Sequence, residues 1–98
     1  MTREDVLTLA KNCVCMTKEH DYGDVEDNFK TISDFWNIYL KAEHPELDMP
    51  FCGITPKDVA IMMALLKIAR IATGVGTADS YIDLAGYAAC GGELQFTN

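Results

Sequence analysis

The 98-residue chain has no run of lysine or arginine, no CxxC pair, no glycine-rich phosphate loop and no long apolar stretch. Each absence removes a class of function. Eight basic residues stand against fifteen acidic ones, for a net charge of −7. An acidic surface repels a phosphate backbone, so duplex nucleic acid is not an expected partner. A small phosphate ligand stays open, because it needs only a few well-placed cations. Cys13, Cys15, Cys52 and Cys90 lack the paired spacing of a zinc site. They are expected as free thiols filling a reduced core. The longest apolar stretch, Val59 to Leu66, falls far short of the roughly 20 residues of a membrane span. No Ser-His-Asp set or Cys-His nucleophile signature is visible. The opening Met1-Thr2-Arg3-Glu4-Asp5 is polar, unlike a secretory leader. Together these features predict a cytoplasmic protein that does not engage a membrane.

What is present points to a folded domain. Hydrophobic residues make up 49% and charged residues 23%, the balance of a globular chain rather than a disordered one. The length allows one domain, residues 1–98. A chain this small buries proportionally little surface, so a homo-oligomer, dimer or higher, is expected. The charge is uneven: residues 1–49 carry eleven acids and five bases, residues 50–98 four and three.

The hydrophobic period predicts an all-α fold, a four-helix antiparallel bundle-like domain with a short extended C-terminal tail. The first helix opens after Thr2, with Asp5 completing a capping box, and runs to near His20. Val6, Ala10, Cys13 and Thr17 form its inner stripe, widened by Leu7 and Val14. The second starts at Asp24 and buries Val25, Phe29, Ile32, Trp36 and Tyr39, leaving Glu26, Lys30, Asp34, Asn37 and Lys41 outside. Pro45, Pro50 and Gly53 make residues 43–53 the one long loop. Thr55, Pro56 and Asp58 are the clearest start signal in the chain. The third helix is apolar almost all round until Thr73-Gly74, which marks it as central in the monomer or at a subunit interface. The fourth follows Thr77 and is expected to stop at Gly91-Gly92, leaving Leu94 and Phe96 to pack from an extended tail.

Two cations interrupt the third helix. Lys67 and Arg70 are three apart and share a side; Asp79 and Asp83, four apart, share a side of the next helix. The short connection from Thr73 to Ala78 favours an antiparallel hairpin in which the two pairs meet. They are then either ion pairs locking the hairpin or a site where the bases hold a phosphate. Gly86, on the same face as the aspartates, fits close ligand approach or close helix packing. A second constellation is His20-Asp21-Tyr22-Gly23 followed by Asn28. It is either a helix-linking turn or a set of contacts to a base or sugar, with the Asn28 amide pointing inward. Glu19, Asp21, Asp24, Glu26 and Asp27 offer oxygens suited to Mg²⁺ or Ca²⁺, but their spacing is not that of an EF-hand, and a solvated acidic surface is the favoured reading. His44 is assigned no role.

The stretches HDYGDVEDNFKTISDFW, ITPKDVAIMMALLKIARI and DSYIDLAGYAA together resemble a family of small phage- and prophage-encoded domains of unknown function. The shared pattern is a YG turn, an NF pair, an aromatic-rich helix, a KIAR-like helix and a D-x-x-x-D-x-x-GY helix, over roughly residues 17–94. More distantly, the layout resembles the all-α nucleoside triphosphate pyrophosphohydrolases of the MazG type. Members of that superfamily usually dimerise and hold Mg²⁺ with an E-x-x-E pair on one helix and an E-x-x-D pair on the next. The resemblance sets Lys67 and Arg70 where the first acidic pair belongs and Asp79 and Asp83 near the second. Two cations cannot ligate Mg²⁺, so half the expected cage is missing unless Glu26 or Asp27 substitutes.

The expected function is therefore binding of a nucleotide-like, phosphate-bearing small molecule, with no cofactor required. Lys67 and Arg70 would meet phosphate, His20, Tyr22 and Asn28 the base or sugar, and Asp83 would orient the cations. If the chain is phage-encoded, it could act in the host cytoplasm by sequestering a nucleotide signal of bacterial defence. One rival is a Mg²⁺-dependent pyrophosphohydrolase with Asp79 and Asp83 as metal ligands. The other is a helical dimerisation protein with no small ligand.

Overall fold

In the computed structural model, residues 1–17, 25–49 and 52–96 are described. The Thr2 hydroxyl accepts from the Asp5 N–H while the Asp5 carboxylate accepts from the Thr2 N–H, a complete capping box that opens α1, Arg3–Lys11. Ala10 is its buried residue. Leu7, expected to widen the inner stripe, is instead 64% exposed. It lies one residue from half-buried Val6, and a short helix with a single neighbour covers only a narrow stripe. The chain does not remain α-helical to His20: from Asn12 to Thr17 it is π-helical, a wider turn than that of an α-helix. The expected stop at His20 and cap at Asp24 lie outside the described residues.

Helix α2 spans Val25–Glu43. Phe29 and Ser33 are buried, and the Ser33 hydroxyl satisfies itself on the Lys30 carbonyl at 2.8 Å. Ile32 and Trp36 pack on the core as expected. Tyr39 does not: it is 64% exposed, and the inner position falls to half-buried Leu40. Steps of three and four from Trp36 both fit a helical period, and the four-residue step is the one that faces inward here. Asn37, expected on the solvent side, faces the loop instead. Its amide donates to the Ile54 carbonyl at 2.9 Å and its oxygen accepts from the Ile54 N–H at 2.7 Å. Lys41 closes the C-terminal end of α2 by donating to the carbonyls of Pro45 and Leu47.

A second capping box, between Thr55 and Asp58, opens α3, Pro56–Ala72. The Thr55 backbone N–H above all, helped by its hydroxyl and by Lys57, holds the Asp58 carboxyl below the ordinary aspartate range against the opposing push of partial burial. Gly74, at φ 82°, turns the chain after α3 in a conformation that favours glycine. At Gly76 a Cβ would stand 2.7 Å from the Ile71 Cα, so the turn folds back tightly. Helix α4 spans Ala78–Phe96 and begins with Ser80 Oγ accepting from the Thr77 N–H.

The extended tail is a correction, because α4 continues through Gly91-Gly92 to Phe96. Gly91 is buried and close to α3, where a Cβ would lie 3.4 Å from the Ala60 Cβ. Close helix packing thus offsets the roughly 1 kcal/mol that a mid-helix glycine costs. Leu94 still packs on the core, whereas Phe96 is 80% exposed.

The chain is an all-α, bundle-like domain of four α-helices, with no strand among the described residues. The α3–α4 hairpin is its centre; α1 packs on α4 and α2 on α3. The core is small, built on Phe29, Val59, Ala60 and Cys90, and Val59 and Ala60 are wholly buried. Phe29 meets Tyr87 of α4 with ring centroids 6.3 Å apart, tying α2 to the hairpin. An apolar groove of about 260 Å³ runs between α2 and α3, lined by Trp36, Tyr39, Leu40, Ile54 and Met62.

Two outcomes follow for stability. Asn37→Ala strands both polar groups of Ile54 and is expected to lower unfolding free energy by about 2 kcal/mol in urea titration. A folded-state pKa held low makes Asp58 stabilising above its unfolded value, a contribution lost as pH falls through the lowered folded value. Asp58→Asn should therefore flatten the loss of stability below about pH 4, measured by thermal unfolding from pH 5 downwards.

Candidate functional site

Lys67 projects from the flank of α3 that packs on α4, and its ammonium lies 3.2 Å from Asp83 Oδ2. The side chains are 20% and 32% exposed, so the pair is largely withdrawn from water. A cation so placed on an apolar helix requires counter-charge. Lys67 and Asp83 are thus brought together, and structural locking of the hairpin accounts for both.

Arg70 behaves differently. It sits about 60° around the helix from Lys67, is exposed, and makes no ion pair among the described residues. Asp79, its expected counterpart, is also exposed and occupies the first turn of α4, where a carboxylate complements the positive end of the helix. The two predicted charge pairs therefore separate into one formed bridge and two charges open to solvent.

The close approach at Gly86 is to protein. Gly86 is buried, and a Cβ there would meet Val14 Cγ1 of the π-helical stretch at 3.1 Å. Its lack of a side chain is explained by packing between α4 and this stretch. Asn28 is exposed, contrary to the inward orientation expected for its amide. At position 28 the chain is one residue before buried Phe29, and the inner stripe of α2 is narrow. His20, Tyr22 and the acids Glu19, Asp21 and Asp24 lie outside the described residues, as do the side chains of Glu26 and Asp27.

Among the described residues no group of three or more His, Cys, Asp or Glu side chains could hold a metal ion. Asp83 is engaged by Lys67. The described residues alone do not supply a two-pair Mg²⁺ cage. The four thiols form no disulfide; Cys90 is buried as expected, but Cys15 and Cys52 are exposed rather than part of a core. Among the described residues, the apolar groove above and a second cleft along Asp34, Asn37, Ile38, Lys41 and Ala42 border α2, and neither is lined by Lys67, Arg70, Asp79 or Asp83.

Sequence reasoning missed Asn37 and Lys41. Both join a helix to the loop that follows it, and the only signal was a polar side chain within reach of a proline-rich segment whose carbonyls need donors.

Fold and charge pattern together define an all-helical domain with a half-buried lysine–aspartate bridge and an adjacent open arginine. Residues 5–95 match the family model described as a domain of unknown function, DUF6378, and the chain belongs to that family. It is similar to the Gene 55 protein of Mycobacterium phage L5, 36% identical over 83 residues, covering 85% of this chain and 47% of the relative. It is also similar to the Gene 55 protein of Mycobacterium phage D29, 34% identical over 87 residues, covering 89% and 51%. The chain thus spans about half the length of the curated relatives it matches. The family is of the phage-type, unknown-function kind that the YG, KIAR and D-x-x-x-D-x-x-GY motifs resemble. No solved structure matches. No helix among the described residues is long and apolar enough to cross a membrane.

A double-mutant cycle on Lys67→Met and Asp83→Asn should return a coupling of about 1 kcal/mol in urea unfolding, at the top of the range of exposed surface pairs. A coupling near zero would remove the structural role assigned to the bridge.

Proposed function

We propose that this domain binds a nucleotide-like, phosphate-bearing small molecule, with Arg70 as its principal phosphate contact. The observation that carries the reading is the exposed Arg70 guanidinium, without an acidic partner among the described residues, beside a lysine whose charge is already balanced. An arginine fork suits a phosphate and loses little freedom on engaging it. In this reading Asp83 orients Lys67, whose remaining N–H groups donate to the phosphate. His20, Tyr22 and Asn28 contact base or sugar, and no cofactor is required. The phage relatives support a role in the bacterial cytoplasm, where such a binder would sequester a nucleotide signal of host defence.

The competing reading is a Mg²⁺-dependent nucleoside triphosphate pyrophosphohydrolase of MazG type, with Asp79 and Asp83 as metal ligands. The distribution of cations favours binding over hydrolysis, because the exposed Arg70 supplies charge to a phosphate and none to hold a metal.

Calorimetry against a panel of linear and cyclic nucleotides separates the readings. At least one nucleotide should bind, Arg70→Ala should weaken it about tenfold or more, and Arg70→Lys should recover part of the loss. Absence of binding across the panel overturns the proposal. Release of pyrophosphate with Mg²⁺, abolished by Asp83→Asn, would replace binding with hydrolysis.

A further inference from the structure

The charges of the α3–α4 hairpin limit how negative its ligand can be. Residues 56–96 hold three cations, Lys57, Lys67 and Arg70. Lys57 pairs with Asp58 at 3.5 Å in the first turn of α3, roughly 20 Å along the helix from Arg70 at 1.5 Å per residue. Lys67 is matched by Asp83 at 3.2 Å, so it offers N–H donors but a charge already offset. Arg70, exposed in the last turn of α3, is the cation of the hairpin that remains. Asp79, exposed in the first turn of α4, brings a carboxylate to the same end, and it makes no ion pair among the described residues. Lys67 and Arg70 against Asp79 and Asp83 leave no net positive charge there, on a chain whose net charge is −7.

Phosphate ligands differ widely in what they ask of such a site. A phosphomonoester carries about two negative charges at neutral pH and a triphosphate about four, whereas a phosphodiester carries a single one. Each charge beyond the first finds no free cation on the hairpin and is repelled by the surrounding acids. A diester also presents two unesterified oxygens, the pair that an arginine fork grips with parallel N–H groups.

We infer that the phosphate this site accepts is a singly charged diester, as in a cyclic mononucleotide or a dinucleoside monophosphate, and not a polyphosphate. The inference deepens the nucleotide-binding reading and rests on it. Arg70 neutralises the diester, and Lys67 donates to the same oxygens without adding net charge.

Calorimetry on the full chain without Mg²⁺ tests it. The probes are a 3′,5′-cyclic mononucleotide, a dinucleoside monophosphate, a nucleoside monophosphate and a nucleoside triphosphate, compared for each base. For a base that binds, a diester should bind most tightly and the triphosphate about tenfold or more weakly. Preference between the cyclic and the dinucleoside forms then identifies which diester the site takes. Raising NaCl from about 0.05 M to about 0.5 M shortens the reach of charge and should narrow the gap between diester and triphosphate. Asp79→Asn, which removes a negative charge from the same end, should narrow it too. A triphosphate that binds as tightly as the diesters overturns this inference and leaves nucleotide binding standing. A gap that neither salt nor Asp79→Asn changes overturns it as well, because the preference would then come from shape. Absence of binding by every probe overturns both readings.

Discussion

The close approach of α3 and α4 is the constraint on which the other features depend. The third helix is apolar on nearly every side, and only another helix lying very near can bury its inner flank. Ala60 against Gly91 provides that proximity, and Gly86 against Val14 repeats it between α4 and the π-helical stretch. Small residues at these positions bring the backbones together, and Val59 and Ala60 become wholly buried as a result. Around this hairpin α1 packs on α4 and α2 on α3, with Phe29 of α2 reaching Tyr87 of α4. The outer stripe of α3 is left uncovered.

The same packing decides the fate of the charges. Lys67 falls on the inner flank, where an uncompensated ammonium would be strongly unfavourable, so Asp83 must meet it. Arg70, three residues on, has turned away from that flank and keeps its charge in water. One cation therefore pairs across the hairpin and the other stays open to solvent, although the two look equivalent in the sequence. The phage relatives, about twice as long as this chain's matched region, place the domain in a family without assigning it chemistry.

Much of the fold was legible because its signals are local. Thr2-Asp5 and Thr55-Pro56-Asp58 predicted their capping boxes, and Thr73-Gly74 predicted the end of α3. Features that depend on a distant partner were not legible. Gly91-Gly92 looks like a helix stop, and only the approach of Ala60 explains why the helix continues. Tyr39 and Leu40 fit the helical period about equally well, and the position of α3 selects Leu40. Nothing in Asn12–Thr17 announces a π-helix. Of the candidate site, the Lys67–Asp83 bridge was readable from spacing and a short turn, while the separation of Arg70 from Asp79 required the helix orientation itself.

The claim at the centre of this account is that the domain holds a small phosphate-bearing molecule through Arg70. Mass spectrometry of the small molecules released when the purified protein is denatured tests it most directly. The account predicts a nucleotide-like phosphate compound in stoichiometric amount from the wild type and its loss from Arg70→Ala. A wild-type protein that releases no phosphorylated small molecule, or an Arg70→Ala variant that releases it undiminished, would contradict it.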